Sequence, residues 1–323
     1  MPNYQGVWSL TTQMQNASAW PRFSVPRALF MGGEPSSGYS DVVDYINITT
    51  LGDATDFGNL SSARRDLMAA SSQTRAIAAA GVGTGSNQNT IDYFTIASAG
   101  NSTDFGDTTQ TSIVGSGTGN STRGLLSLGL ASASQNYDGS IDYITFASTG
   151  NAQDFGDLTQ GRGYAMDSAF SSPTRAIFYG GYAHPSPSDA VNTIDYVTIA
   201  STGNATDFGD TSVTRYGMGG ASSSTRGVAG GSNGSDTTMD YVTIASTGNA
   251  TDFGDTLSAV RYLSGTSNGT RGVYGGGQAY SGGTRQNVIQ YVTISTTGNA
   301  IDFGDLTVAR GRLAATSGSH GGI

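Results

Sequence analysis

Cysteine and lysine are both absent from the 323 residues, and Glu34 is the only glutamate. The missing cysteine excludes disulfides, thiolate nucleophiles and cysteine-based zinc sites. Charged residues make up only 12% of the chain, and nearly all of that charge is Asp set against Arg. Good helix formers such as Glu, Lys and Leu are scarce, which argues against helical bundles. The net charge is −9, the opposite of the clustered cations that a nucleic-acid footprint needs. No stretch approaches the ~18 apolar residues of a membrane span, so membrane insertion is not expected. The N-terminal residues carry no basic region followed by an apolar run, so no signal peptide is expected. His184 and His320 are the only histidines, and neither sits in a metal-ligand spacing or beside a nucleophile motif.

Glycine is abundant, 48 residues, and the chain repeats itself. Asp-Phe-Gly occurs six times, starting at Asp56, Asp104, Asp154, Asp207, Asp252 and Asp302, with spacings of 48, 50, 53, 45 and 50 residues. Twelve residues before each of these lies Asp44, Asp92, Asp142, Asp195, Asp240 or Gln290, followed each time by Tyr. A third marker is an Arg heading a short apolar run: Arg27, Arg75, Arg123, Arg175, Arg226 and Arg271. The distance from this Arg to the Asp/Gln-Tyr pair varies, so each repeat has a rigid part and a tolerant part.

Each unit reads as four short strands, because its apolar runs are β-branched or aromatic and are bounded by Gly, Ser, Asn and Thr. Four strands in ~50 residues is a propeller period. The first unit starts at its second strand, Arg27 onward, and the last stops after a first strand beginning near Arg312. The C-terminal strand would then complete the N-terminal blade and leave no open edge. The fold expected is all-β: a six-bladed propeller over residues 27–323, with residues 1–26 as an N-terminal arm.

The order Arg, apolar run, Gly pair, loop, Tyr, aromatic, Leu, Arg resembles the kelch repeat. Phe57, Phe105, Phe155, Phe208, Phe253 and Phe303 look like stand-ins for the kelch tryptophan packed between blades. A second kelch-like Arg is placed at Arg64, Arg162, Arg215, Arg261 and Arg310, with Ser112 replacing it in one copy. The wording of the repeat, IDYVTIASTGNATDFGD, resembles predicted structural proteins of tailed bacteriophages, and residues 6–21 resemble segments that precede C-terminal modules of phage fibre-like proteins. The resemblance spans about residues 3–323. It implies a fibre, tail or head-decoration subunit located in the virion, assembled in the host cytoplasm and then part of an extracellular particle.

Asp-Phe-Gly is also a kinase metal motif, but a chain without lysine lacks the phosphate-binding partner that motif requires. Paired aspartates such as Asp207/Asp210 and Asp252/Asp255 could ligate calcium, yet no dense oxygen-rich loop surrounds them, and turn chemistry or pairing with Arg is favoured. No cofactor and no enzymatic activity are expected. The loops between second and third strands vary while the rest of the repeat holds, and variable loops on a rigid scaffold carry function. They contain Tyr39, Tyr137, Tyr182, His184, Tyr280 and Arg285, taken as ligand-binding candidates because exposed Tyr offers a flat face and a hydroxyl. In the arm, Tyr4, Trp8, Leu10 and Trp20 are candidates for docking onto other virion proteins. The function expected is recognition of a host-surface glycan or protein. The alternatives are a purely structural virion component that binds only other viral subunits and a polysaccharide-degrading enzyme.

Overall fold

The repeats fold as antiparallel four-stranded blades in a computed structural model that describes residues 26–131, 137–164, 167–183 and 189–323. The six blades form a β-propeller without helices among the described residues. From axis to rim, blade 3 runs Ser116–Gly119, Arg123–Ser127, Ser140–Thr145 and Gln153–Asp157. Blade 1 is assembled from both ends of the repeat region. Its inner strand, Ala314–Ser317, pairs with Arg27–Met31, which pairs with Val42–Asn47 and then Thr55–Asn59. The expected ring closure is thus present.

The cores lie between blades. Six apolar clusters each join two neighbouring blades, and each contains one phenylalanine of an Asp-Phe-Gly triplet. That phenylalanine meets the Tyr of its own third strand edge-on, as in Tyr143 and Phe155 with centroids 6.1 Å apart. The inner strands are built of small residues, such as Ser-Gly-Thr-Gly and Ser-Gly-Thr-Ser, so neighbouring backbones approach closely at the axis.

The invariant wording of the repeat is a ladder between blades. The outer strand of one blade accepts and donates hydrogen bonds with the Thr-Gly-Asn turn of the next. Gly150 N–H donates to Phe105, Ala152 N–H donates to Asp107, and Asp107 N–H donates to the Asn151 side chain at 3.1 Å. The same Asn-type contact recurs at Asn101, Asn204, Asn249 and Asn299, with Asp53 in the first blade. Gly106, at φ +145°, touches this turn, and a Cβ there would lie 2.5 Å from the Gly150 backbone. A side chain at Gly106 would therefore push two blades apart.

The repeated arginines serve two separate jobs. The Arg heading each second strand lies over the Tyr of its own blade, at 4.3 to 4.9 Å from the ring centroid. It also donates to a carbonyl of the next blade, as Arg175 does to Ile244. A second set is buried in the connections that lead into four of the blades: Arg64–Asp92, Arg162–Asp195, Arg215–Asp240 and Arg310–Asp44, at 2.6 to 3.0 Å. Each of those Asp side chains also accepts from the backbone N–H and hydroxyl of a Ser or Thr in the same connection, such as Ser61 on Asp92.

Arg261 corrects the sequence reading. It is the neighbour of Val260, and Val260 fills the buried position in blade 6. There the aspartate is Gln290, and the Ser/Thr is Leu257, whose N–H donates to Gln290 Oε1 at 2.8 Å. All three members of the ionic tie are replaced together. Blade 3 keeps Asp142 and Thr109 but has buried Ser112 in place of Arg, and burial raises the Asp142 pKa.

Candidate functional site

Just before each inner strand the chain turns through one left-handed residue: Asp66, Val114, Tyr164, Gly217, Tyr262 and Arg312, with φ between 53° and 73°. Only one of the six is glycine, the residue that adopts this region freely. A β-branched or bulky residue there is a conformational outlier, and such strain costs roughly 1–3 kcal/mol each. Backbone hydrogen bonds link the six around the axis. Arg312 N–H donates to Tyr262, Tyr262 to Gly217, Gly217 to Tyr164, Asp66 to Arg312 and Val114 to Asp66, at 2.7 to 3.2 Å. The ring therefore holds five side chains at the centre of the loop face, in a backbone conformation that glycine would adopt with less strain.

Those side chains seed an aromatic platform. Tyr164 and Tyr262 from the ring meet Tyr216, one residue before Gly217, and Tyr137 and Tyr182 from the loops of blades 3 and 4. Seven ring pairs connect these five tyrosines, with centroids 5.4 to 6.4 Å apart. Tyr262 is the buried member of the five, in one apolar cluster with buried Val114, and Ile113 and Leu130 pack against that cluster. Burial raises the pKa of Tyr262, and that of Tyr137 well above the ordinary phenol value, so both stay neutral hydroxyls.

Arginines border the platform. The Arg312 guanidinium lies 4.2 Å from the Tyr262 centroid and 5.8 Å from that of Tyr164. It also pairs with both Asp66 oxygens, at 3.0 and 3.2 Å. Glu34 gathers Arg65 at 2.7 Å, Arg312 at 3.4 Å, and Arg285 in a short ion pair. The Arg261 guanidinium lies over the Tyr262 ring, 5.1 Å from its centroid. Burial raises the Asp66 pKa, opposed by Arg312 and Arg65.

The sequence-derived candidates divide accordingly. Tyr137, Tyr182 and Arg285 enter this assembly. Tyr39 joins its margin, with the Arg65 guanidinium 5.3 Å from its ring. Tyr280 stands apart from the tyrosine platform, 47% exposed on the loop of blade 6. His184 and the arm residues Tyr4, Trp8, Leu10 and Trp20 lie outside the described residues. Sequence reasoning missed Tyr164, Tyr216, Tyr262, Arg65 and Arg312. They sit in the connections between blades, where the repeat comparison pointed to one Arg position and to nothing else. No group of three acidic or histidine side chains able to hold a metal occurs among the described residues, and Asp207, Asp210, Asp252 and Asp255 are not drawn into one.

Two other concavities differ in kind. The axis holds a cavity of about 30 Å³ lined by Thr118, Asp167, Thr266, Thr316 and His320. That volume suits water rather than a sugar. Asp167 accepts from Ala315 N–H at 2.8 Å and from the Ser264 hydroxyl, and burial pushes its pKa up to about 7. His320, from the segment after the last strand, contacts the Ser71 carbonyl at 3.1 Å, and burial lowers its pKa to about 4. On the rim, a polar groove of about 570 Å³ runs along Arg123, Tyr143 and residues 148–153. Its Arg and Tyr are the interblade clasp already described.

No protein-family model matches the chain, and no curated protein matches it in sequence.

Proposed function

We propose that the chain is a recognition module that uses the tyrosine–arginine platform of its loop face to bind a surface glycan. One observation carries this reading: side chains are held in strained left-handed conformations at the centre of that face, where glycine would relieve the backbone. Strain of this kind collects at binding and catalytic sites. Tyrosine rings supply flat faces and hydroxyls for a sugar, and the close-packed blades hold them rigidly. The kelch-like order of the repeat and its likeness to tailed-phage structural proteins support placing the module on a virion, as a fibre, tail or decoration subunit. Many copies on one particle would convert weak single-site contacts into avidity.

The test is a glycan-array screen of the full chain displayed multivalently. Binding to a defined glycan set is expected, with Tyr182→Ala or Tyr216→Ala lowering affinity about tenfold or more, as loss of an aromatic anchor does. Unchanged melting of the variants would tie the loss to the face rather than to the fold. Absence of glycan binding by folded, multivalent protein would overturn the reading and leave the role of a structural virion subunit bound only to its neighbours.

A further inference from the structure

In one sector of the loop face, around Glu34 and Asp66, the charge runs against that of the molecule. The chain as a whole carries −9. At this face four guanidiniums, those of Arg65, Arg261, Arg285 and Arg312, surround two carboxylates, Glu34 and Asp66. Both Glu34 oxygens already accept from arginines, and Asp66 is held by Arg312 and Arg65. Arg261 has no carboxylate partner among the described residues and donates to Gln278 Oε1 at 3.3 Å. Arg285 uses Nη2 on Glu34, while its Nε and Nη1 are shielded from solvent and have no hydrogen-bond partner among the described residues. Burial lowers the Arg285 pKa, and Arg312, Arg65 and Arg261 add to that against the pull of Glu34. Shielded N–H donors without acceptors are costly, and a planar guanidinium edge fits a carboxylate or sulfate in bidentate fashion.

We propose that Arg285, with Arg312 and Arg261, forms an anion subsite beside the tyrosines, and that the glycan bound here carries an acidic sugar. This rests on the glycan reading above. The contact path is continuous: Glu34 touches Arg285 and Arg312, and Arg312 lies on Tyr262 and Tyr164. A sugar ring on the tyrosines would place its acidic substituent toward Arg312 and Arg285. Glu34 is then the internal acid that holds the arginines in place until the ligand's anion competes for them.

The experiment uses the full chain, isotope-labelled at Tyr and Arg, titrated by NMR with glucuronate, glucose, glutamate and sulfate. Glucuronate is expected to shift both the Arg285 Nε–H and the Tyr262 and Tyr164 ring signals. Glucose should bind about tenfold more weakly, the loss expected for one charge-assisted pair. Sulfate should move the arginine signals alone. Arg285→Gln should lower glucuronate affinity about tenfold, and Glu34→Gln, which frees the guanidiniums, should raise it. Equal binding of glucose and glucuronate, or indifference to Arg285→Gln, overturns the acidic subsite while the glycan reading stands. Glutamate binding as well as glucuronate, with the tyrosine signals unmoved, removes the sugar from the proposal altogether and takes the glycan reading with it.

Discussion

At the scale of single residues, the axis carries two groups whose proton affinities pull in opposite directions. Asp167, raised to about 7, keeps its proton in the folded chain where the unfolded chain has lost it. Its contribution to stability is complete below the ordinary value of 3.8 and is lost as pH rises to about 7. His320, lowered to about 4, contributes fully above its ordinary 6.5 and loses that contribution as pH falls to about 4. Between about 4 and 6.5 the two slopes cancel, since folded and unfolded chains bind the same number of these protons. Asp167→Asn removes one slope. Its amide oxygen can still accept from Ala315 N–H and the Ser264 hydroxyl. Denaturation of the two proteins across this range should show the variant gaining on the parent as pH rises, by an amount on the order of a few kcal/mol at pH 8. A difference that stays constant with pH would mean that the carboxyl is ordinary.

Among the elements, the connections into each blade show what a buried ion pair contributes. Arg64 and Asp92 are both fully buried, joined at 2.7 Å, with Ser61 donating twice to the same carboxylate. Removing one partner strands a buried charge, so Arg64→Met should cost about 3–5 kcal/mol in chemical denaturation. Blade 6 already contains an uncharged alternative in Leu257, Val260 and Gln290. The triple change Ser61→Leu, Arg64→Val, Asp92→Gln copies it and should regain most of that loss. Failure of the triple variant to outperform the single one would show that blade 6 depends on its own surroundings. The same elements show what the sequence could reveal. Asp-Phe-Gly and the Gly-Asn turn (Gly52-Asp53 in blade 1) stood out because they meet across every blade boundary, so each copy is under the same constraint. Tyr164, Tyr216 and Tyr262 did not stand out, because the ring fixes their backbone conformation and leaves their side chains free to differ between blades. The loop tyrosines were visible as departures from a repeat. The connection tyrosines filled positions where the repeat had no rule to break, and a ring that gathers distant connections at one mouth is not written in local spacing. Arg261 was misplaced by one residue for a related reason: an arginine was sought where the tie had been replaced as a set.

For the molecule as a whole, closure depends on four residues near the end of the sequence. Ala314–Ser317 covers an edge that Arg27–Met31 would otherwise expose, and Arg310 reaches from the same stretch to the Phe30 carbonyl at 3.2 Å. A chain ending at Arg312 should lose its single cooperative melting transition and self-associate through that bare edge, seen by size exclusion with light scattering. A truncated chain that stays monomeric and melts as before would show that the ring holds without the joint.

The same joint imposes an order in time. During synthesis Arg27–Met31 leaves the ribosome long before Ala314–Ser317, its neighbour on the axial side. Blades 2 to 6 can assemble in sequence as they emerge, while blade 1 waits with one of its three strand pairings unmade. Contacts between segments so distant in sequence form slowly. The nascent propeller therefore carries one unpaired strand edge until Ala314–Ser317 emerges, and that strand decides when the hazard ends.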